Sequence, residues 1–407
     1  MSARTGPAVV TLVACQGVIT LGLMVLVPIM PFFIRGLLGA DASLADVARW
    51  TSIALAAPGV GALAAAPFSA GWCERYGYRR ALLLALALFV ASLLAMASAR
   101  HPALFVAGRV AQGASTVSVI VTAYLARVSD AATRGRALGW QESAVAAGAL
   151  AGPALGGILQ DLWSVRPLLY AVACGTGLAT AALALTLREP AREAAGGDHR
   201  AASAANRAAR QALFADRGFR RWVLAGSLTQ AGAFALVNVF ALFIDARFAG
   251  RAELASTVGL LHALGWCATL AAGPFWGARN DRRDPARHFV AGALLCALAL
   301  ALMPFAASLW LIALLRIMQG AAYAALAQSM LLVCSRAAPV ALQGRVTVTA
   351  RSAMVLGQLF GPFAVLALLP LLGPAATLWL TAAMFVAAAG IAHRGAAVSF
   401  SSVTEPR

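Results

Sequence analysis

Residues 74–80 read Glu-Arg-Tyr-Gly-Tyr-Arg-Arg and form a charged island between two long apolar runs. A second charged stretch, Asp-Arg-Arg-Asp at 281–284, begins 207 residues later. The residues before the two stretches match at the same offset, with Ala-Pro-Phe at 66–68 and Gly-Pro-Phe at 273–275. Several matches at one constant offset indicate an internal duplication rather than chance similarity.

The duplication continues beyond these loops. Arg-Val-Ala-Gln-Gly at 109–113 matches Arg-Ile-Met-Gln-Gly at 316–320, again at an offset of 207. Further along, the offset becomes 209, which pairs Gly-Pro at 152–153 with Gly-Pro at 361–362. One loop insertion would produce such a step of two residues in an otherwise steady offset. We therefore interpret the chain as two copies of one unit.

The composition is typical of a membrane-embedded chain. Of the 407 residues, 61% are hydrophobic and 12% are charged, and the mean hydropathy is +0.81. A helix that crosses a bilayer needs about 20 apolar residues, whereas the strands of a membrane barrel show alternating segments of about ten. We predict an all-α membrane protein with twelve transmembrane helices. The predicted spans are 8–34, 50–71, 81–99, 103–126, 137–160, 167–187, 221–246, 255–277, 288–307, 309–334, 346–370 and 375–393.

The arginines predict how these spans are oriented. The chain has no lysine, so arginine carries its net charge of +17. Of the 32 arginines, 23 lie in the termini and in the loops after even-numbered spans, whereas six lie in the other loops. Basic loops stay on the cytoplasmic side, so we predict a multi-pass protein of a bacterial-type inner membrane with both termini in the cytoplasm. The same distribution argues against nucleic acid as a partner.

The longest polar break, residues 188–220, separates two sets of six spans. It is rich in Ala, Arg, Gly and Ser, which favours a cytoplasmic linker. We predict an N-terminal six-helix bundle at 1–187 and a C-terminal six-helix bundle at 221–407. Because each bundle has an even number of spans, the two copies keep the same orientation, and a substrate would bind between them near the membrane midplane.

The sequence predicts neither a metal site nor a cofactor. Its six cysteines are isolated, with no Cys-x-x-Cys pair and no histidine at a metal-binding spacing. A Gly-x-x-x-x-Gly-Lys nucleotide loop needs a lysine, which the chain lacks, so direct use of ATP is excluded. The sequence shows no cluster of catalytic residues, so we do not expect an enzyme.

These features resemble the major facilitator superfamily, and within it the twelve-span exporters of drugs and metabolites. The superfamily's signature in the loop after span 2 is a glycine followed by Asp-Arg-aromatic-Gly-Arg-Arg. The loop of this chain is similar, with Glu74 in place of the aspartate and Ala70 in place of the first glycine. The resemblance implies a monomer of two six-helix pseudo-symmetric halves, latched together by this loop when the cytoplasmic side is closed. The latch residues are Gly71, Glu74, Arg75, Gly77, Arg79 and Arg80, and in the second copy Gly277, Asp281 and Arg282.

The role of Glu74 has two interpretations. A carboxylate at this helix boundary is attracted to the positive N-terminal end of span 11, near Val346, and this contact is the latch that the resemblance implies. Alternatively, Arg75, Arg79 and Arg80 only hold the loop on the cytoplasmic side, and Glu74 is their local partner.

Span 5 carries a glycine motif that in the superfamily marks exporters rather than importers. Three of its glycines are spaced at i, i+4 and i+8, so they lie on one helix face and let another helix approach closely. The proline of the motif removes a backbone donor and permits a bend. The motif consists of Gly148, Gly152, Pro153, Gly156 and Gly157.

Charged residues inside the spans are candidates for a substrate or proton pathway, because a charge in lipid normally faces a cavity or a partner. Arg109 either lines this pathway or helps a carboxylate change its protonation, or else it extends its side chain to the outer boundary. Glu142 either carries the coupling proton or bridges to an arginine, or it is an interfacial residue whose carboxylate reaches water. The candidates are Arg109, Gln112, Gly113, Glu142, Asp245, His262, Arg316, Gln319 and Arg351.

The sequence therefore predicts an exporter of a small organic molecule, either a drug or an endogenous metabolite such as a siderophore. We expect proton antiport and alternating access, with Glu142, Asp245 and His262 as the proton-carrying candidates. A symporter that imports a sugar or an organic acid is the alternative. A non-transporting membrane protein would not need charged residues inside its spans, and a membrane enzyme would need a catalytic cluster.

Overall fold

The computed structural model describes residues 7–39, 41–129, 134–187, 211, 213–248, 253–336 and 340–394. The regular secondary structure of these ranges is helical. The helices of the first half are α1 (Pro7–Leu38), α2 (Leu44–Tyr76), α3 (Tyr78–Ala97), α4 (Pro102–Ala114), α5 (Val117–Val128), α6 (Arg134–Leu162) and α7 (Val165–Thr186). Those of the second half are α8 (Arg217–Arg247), α9 (Leu254–Arg282), α10 (Pro285–Leu302), α11 (Leu309–Arg336) and α12 (Val340–His393), and a short 3-10 turn covers Met303–Phe305.

Most of these helices are long and apolar enough to cross a bilayer. Eleven candidate spans meet this condition among the described residues. Helices satisfy their own backbone hydrogen bonds, which lipid cannot do. The prediction of an all-α membrane protein is confirmed. The predicted linker, 188–220, lies largely outside the described residues.

Two local breaks change the helix boundaries that the hydropathy predicted. Predicted span 4 consists of α4 and α5, because Thr116 adopts a left-handed backbone with a φ of 47°. The hydroxyl of Ser115 closes α4 by donating to the carbonyl oxygen of Gln112 at 2.6 Å. Predicted spans 11 and 12 are joined in α12, where Gly373 interrupts the helical geometry with a φ of 76° that glycine tolerates.

The described residues cluster into two compact units. Unit 1 contains those within 1–191, 237–266 and 369–371, and unit 2 contains those within 192–236, 267–368 and 372–407. The last third of α8, from residue 237, and the first part of α9 therefore belong to the same unit as the N-terminal helices. Contacts of these parts of α8 and α9 with the N-terminal helices therefore lie within unit 1.

Helix pairing positions the candidate residues within each unit. In unit 1, α1 packs against α6, α2 against α4 and α3 against α7. Its interior contains large buried side chains such as Leu12, Phe89 and Tyr124. In unit 2, α10 packs against α11, and the rings of Trp222 and Phe289 meet edge to face with centroids 5.5 Å apart. The polar side chains described next are thus held on closely packed helices.

Candidate functional site

The same buried arginine-glutamine pair occurs in both units. Arg109 on α4 is 4% exposed and donates to the side-chain oxygen of Gln112. Arg316 on α11 is also 4% exposed and donates to the side-chain oxygen of Gln319 at 2.6 Å. The duplication seen in the sequence is therefore preserved in side-chain geometry.

The guanidinium of Arg109 lies in the interior of unit 1. Its Nε donates to the carbonyl oxygen of Ala54 on α2 at 3.2 Å. Among the described residues, no carboxylate lies within salt-bridge distance of Arg109. A buried cation held only by neutral oxygens is costly unless an anion or water reaches it. The arrangement can therefore stabilise a negative charge that arrives from elsewhere.

Close contact of two backbones positions Arg109. A Cβ atom added at Gly113 would overlap the carbonyl oxygen of Pro58 on α2. A Cβ atom added at Gly61 on α2 would likewise overlap the carbonyl oxygen of Val110 on α4. Glycine at both positions lets the helices meet, which brings Arg109 within reach of Ala54.

A neutral hydrogen-bond network links α1, α5 and α6. The amide nitrogen of Gln16 donates to the hydroxyl of Ser118 at 3.0 Å and to that of Thr20 at 3.1 Å. The amide nitrogen of Gln141 donates to the hydroxyl of Thr122 at 2.7 Å and lies 3.4 Å from the amide oxygen of Gln16. Both glutamines are buried, whereas Ser118 and Thr122 are exposed on the surface of unit 1.

Most of this network is absent from the candidates predicted from the sequence. Gln16 is a polar residue within predicted span 1, but the sequence indicates no partner for it. Ser118 and Thr122 are spaced at i and i+4, so they lie on one helix face. Gln141 directly precedes Glu142. The spacing of Ser118 and Thr122 indicates a polar face on α5, and the position of Gln141 beside Glu142 indicates one on α6. Neither pattern predicts that the two faces meet.

The glycines of α6 pack against two different partners. A Cβ atom at Gly148 would lie 2.8 Å from the backbone nitrogen of Leu21, and one at Gly152 would lie 2.5 Å from the Cβ of Met24, both on α1. At Gly156 it would overlap the carbonyl oxygen of Val25, also on α1. At Gly157 it would overlap the carbonyl oxygen of Ala255, at the beginning of α9.

Two further contacts between α9 and α6 flank the contact of Gly157 with Ala255. A Cβ atom at Gly259 on α9 would overlap the carbonyl oxygen of Pro153 on α6. The carboxylate of Asp161, at the end of α6, accepts the backbone N–H of Ser256 at 2.7 Å. A carboxylate at a helix N-terminus satisfies a free donor and complements the helix dipole.

Two further polar contacts join the second half of α8 to the N-terminal helices within unit 1. Arg35, in the last turn of α1, forms a salt bridge of 2.9 Å with Asp245. The amide nitrogen of Asn238 donates to the hydroxyl of Ser52 on α2 at 2.7 Å. Together with Asp161 and Ser256, these pairs form a set of contacts that we call the outer clasp. The sequence alone predicts no role for Arg35, Ser52 or Asp161.

The remaining predicted pathway residues lie in different environments. His262 on α9 is 1% exposed, and its ring lies 5.0 Å from that of Phe240. Glu142 lies on α6 and Arg351 on α12, but their side chains are outside the described part of the structure. The structure therefore gives partners for Asp245 and a packed environment for His262.

The predicted latch loop is a one-residue turn between α2 and α3. Gly77 has a φ of 88°, a conformation that glycine adopts without strain. Arg75 lies over the ring of Tyr76, 5.4 Å from its centroid, and Arg79 donates to the carbonyl oxygen of Ala184 on α7 at 2.5 Å. Arg80 is exposed. Gly71 and Glu74 lie on α2, but the contacts of the Glu74 side chain are outside the described part of the structure.

The second copy of this loop joins α9 and α10. Gly277 lies near Gln328, since a Cβ atom there would be 3.5 Å from the amide oxygen of that residue. Asp281 and Arg282 are exposed at the end of α9. Asn280 beside them accepts from Ser329 on α11 at 3.1 Å and lies 2.7 Å from Nδ1 of His288 on α10. The loop thus rests on a buried polar contact among three helices of unit 2.

Comparison with known proteins assigns the family. The sequence pattern described as Major Facilitator Superfamily matches residues 12–250 and 251–397. The chain belongs to the major facilitator superfamily. The resemblance read from the sequence motifs is confirmed, and the superfamily consists of transporters rather than enzymes.

Similar proteins of the superfamily come from several bacteria. The chain is 27% identical to a staphyloferrin B transporter from Staphylococcus aureus over 88% of this chain and 85% of that protein. It is 24% identical to the multidrug resistance protein MdtG from Enterobacter lignolyticus over 82% of this chain and 79% of that protein. The solved structure of a D-xylose-proton symporter is similar with a TM-score of 0.72 and 17% identity, covering 95% of this chain and 97% of that one.

The superfamily fold places the site residues of this multi-pass transporter on several helices rather than in one cluster. The described residues contain no group of three His, Cys, Asp or Glu side chains that could hold a metal ion. They contain instead two buried arginine-glutamine pairs, one neutral network and the outer clasp. Such groups can bind and orient polar solutes.

Proposed function

We propose that the protein exports a small organic molecule across the bacterial inner membrane in exchange for protons. The packing of the α6 glycine motif carries this proposal, because that motif distinguishes exporters within the superfamily. Gly148, Gly152 and Gly156 hold α6 against α1, while Gly157 meets the beginning of α9. The similarity to MdtG, a multidrug resistance protein, supports the same direction.

Alternating access requires contacts that form and break in each cycle. The outer clasp has this character, since it consists of one salt bridge and two hydrogen bonds. The arginine distribution supports an outside location for this end of the helices and a cytoplasmic location for both termini. The clasp then closes the outer side while substrate enters from the cytoplasm, and its opening releases substrate outside.

The substrate is a polar molecule with hydroxyl or carboxylate groups. Ser118 and Thr122 present exposed hydroxyls that buried glutamines hold in place, and Arg109 is a buried cation without a carboxylate partner among the described residues. Hydroxycarboxylate metabolites of the siderophore type have the complementary groups. The similarity to a staphyloferrin B transporter supports this substrate class.

Proton coupling is assigned to Glu142. It lies on α6, where it directly follows Gln141 in the sequence. A carboxylate at this depth has a lower cost when protonated, which allows its protonation to control substrate release. Asp245 is the second candidate, because protonation of its carboxylate would weaken the outer clasp.

The first experiment compares a deletion strain with its parent and with a complemented strain, in iron-replete and in iron-starved growth. Metabolites are measured in the medium and in the cells. An exporter predicts a compound that disappears from the medium and accumulates inside the deletion strain, and complementation restores it. A compound that instead remains in the medium of the deletion strain, or identical profiles in all strains, would contradict dedicated export.

Coupling is then measured with that compound in inside-out membrane vesicles. An imposed pH gradient, acidic inside the vesicle, should drive accumulation, and nigericin should abolish it. Accumulation that does not respond to the gradient would contradict proton antiport while leaving export itself intact. Proton-driven uptake into whole cells would favour the symporter instead.

A further inference from the structure

Unit 2 contains a cavity of about 660 Å³ that the transport mechanism does not use. It lies between the beginning of α8 and the part of α12 near Leu356. Three arginines from the first turn and a half of α8 line it, namely Arg217, Arg220 and Arg221. The arginine distribution places this end of α8 on the cytoplasmic side of the membrane.

The positive charge of the cavity is not neutralised within the described structure. Arg220 donates to the carbonyl oxygens of Phe214 at 2.8 Å and Ala215 at 3.1 Å, and Arg221 donates to the carbonyl oxygen of Arg394 at 3.2 Å. Among the described residues, no carboxylate lies within salt-bridge distance of the three guanidinium groups. Each guanidinium has five N–H donors, so most of them remain available to a ligand.

The nearest acidic residue in the sequence has another role. The carboxylate of Asp216 accepts the backbone N–H of Phe219 at 2.6 Å and thereby closes the N-terminus of α8. The three arginines are all exposed. A phosphate or another divalent anion would therefore meet three cations at once, with no carboxylate among the cavity's lining residues to repel it.

The other wall of the cavity is apolar. Leu224, one turn further along α8 than Arg220 and Arg221, is 52% exposed, and Leu356 on α12 is 55% exposed. Leu224 lies further into the membrane than the arginines, because α8 runs into the bilayer from its N-terminus, and Leu356 lines the same cavity. A soluble anion needs no such wall, whereas an amphipathic anion contacts both parts. A basic pocket between helices at the cytoplasmic surface is typical of sites for anionic lipid headgroups.

We propose that this cavity binds an anionic phospholipid of the inner leaflet. The phosphate of the headgroup contacts Arg217, Arg220 and Arg221, and the first part of an acyl chain lies along Leu224 and Leu356. In the wall of the cavity the two helices are in contact, since the hydroxyl of Ser227 donates to the carbonyl oxygen of Ala353 at 3.3 Å. The bound lipid therefore stabilises the pairing of α8 and α12 at the membrane surface.

Native mass spectrometry of the full-length protein in detergent tests this site. Phosphatidylglycerol and phosphatidylcholine with the same acyl chains are titrated in parallel. The wild-type protein should bind phosphatidylglycerol at least about tenfold more tightly, since basic residues near the membrane surface attract anionic lipid. Equal binding of the two lipids would overturn the proposal.

The site variant is Arg217→Gln combined with Arg220→Gln and Arg221→Gln. Its control is Arg279→Gln combined with Arg283→Gln and Arg287→Gln, which removes the same charge from exposed residues of unit 2 outside the cavity. The site variant should lose the preference for phosphatidylglycerol, while the control retains it within about twofold. An equal loss in both variants would show a general charge effect and would overturn the assignment.

Two further measurements address the acyl chain and the folding of the variants. Leu224→Asn with Leu356→Asn keeps all three arginines and should weaken phosphatidylglycerol binding by about fivefold. Displacement of the lipid by inorganic phosphate alone would show a site for soluble anions and would overturn the lipid assignment. If the triple arginine variant does not fold, single substitutions replace it, and binding unchanged in every one of them would contradict the proposal.

Discussion

The guanidinium of Arg35 lies 2.9 Å from the carboxylate of Asp245. The two residues are 210 positions apart in the sequence and lie near the ends of α1 and α8. Their side chains are 43% and 21% exposed, and a partly exposed pair of this kind contributes about 0–1 kcal/mol. A contact this weak can be broken in every transport cycle, which suits a gate better than a permanent bond.

Swapping the charges of Arg35 and Asp245 should restore the transport rate that is lost when the salt bridge is removed. Asp245→Asn should favour the outward-open state and lower the transport rate by up to about fivefold, the factor that corresponds to 1 kcal/mol. The charge swap Arg35→Asp with Asp245→Arg should recover most of the rate. Transport of the compound identified by metabolite profiling, measured in vesicles, provides the readout. If the swap is no better than Asp245→Asn, the pair does not act as a gate.

Gly157 should be essential for transport but not for folding. Gly157→Ala would place a Cβ atom against the carbonyl oxygen of Ala255, which prevents the beginning of α9 from approaching α6. We expect a loss of transport of about tenfold or more, since displacing backbone costs more than 1 kcal/mol. Gly175→Ala on α7 is the control, because no atom beyond its neighbouring residues and its own helix backbone lies within 4 Å of its added Cβ. Wild-type transport by Gly157→Ala would contradict this role.

Gly156, its neighbour in the sequence, should show the opposite behaviour. Its added Cβ would meet the carbonyl oxygen of Val25 in the interface between α1 and α6. Gly156→Ala should therefore lower the free energy of unfolding by about 1–3 kcal/mol. A fluorescence-based thermal unfolding scan measures the effect, with Gly175→Ala again as the control. If Gly156→Ala and Gly175→Ala unfold at the same midpoint temperature, the interface between α1 and α6 tolerates the added methyl group.

Arg109 should require a guanidinium and not only a positive charge. It donates from two different nitrogens, to Ala54 and to Gln112, and a lysine ammonium does not reproduce this geometry. We expect Arg109→Lys to fold and to transport about tenfold more slowly, because one buried oxygen loses its donor at a cost of about 1–3 kcal/mol. Arg100→Lys, in the exposed turn before α4, should transport normally. Equal rates for the two variants would exclude this role.

The neutral network should act on substrate affinity. Gln141→Leu removes the donor that holds Thr122 and should raise the KM for a hydroxyl-bearing substrate by about fivefold with little change in kcat. Thr186→Val removes a hydroxyl that bonds only within its own helix, to Ala182, and should leave both constants unchanged. A fall in kcat at constant KM would indicate a conformational role for the network instead.

Glu142 should couple transport to protons. Glu142→Gln keeps the size of the side chain but cannot release a proton at neutral pH. Vesicles with this variant should exchange labelled for unlabelled compound but should not accumulate it in response to a pH gradient. Glu253→Gln, the same chemical change at an exposed position just before α9, should accumulate it normally. Gradient-driven accumulation by Glu142→Gln would assign coupling to another residue.

The amino-acid sequence by itself determined the membrane class, the duplication and the positions of the buried charges. The constant offset of 207 relates Arg109 to Arg316, and the two residues do make equivalent contacts. These features can be predicted from the sequence because hydropathy, spacing and repetition are properties of the chain itself. The glycine face of α6 is readable for the same reason, since i, i+4 spacing defines a helix face.

Only the tertiary structure decided which helices these residues meet. Gln16 and Gln141 are 125 residues apart, and Asn238 and Ser52 are 186 apart, so their contacts depend on the rotation and tilt of helices that hydropathy leaves undetermined. Packing also gave Gly156 and Gly157 different partners, although they are adjacent in the sequence. The physical reason is that neighbouring positions on a helix point in directions about 100° apart, so each one meets whichever helix the fold brings to its side.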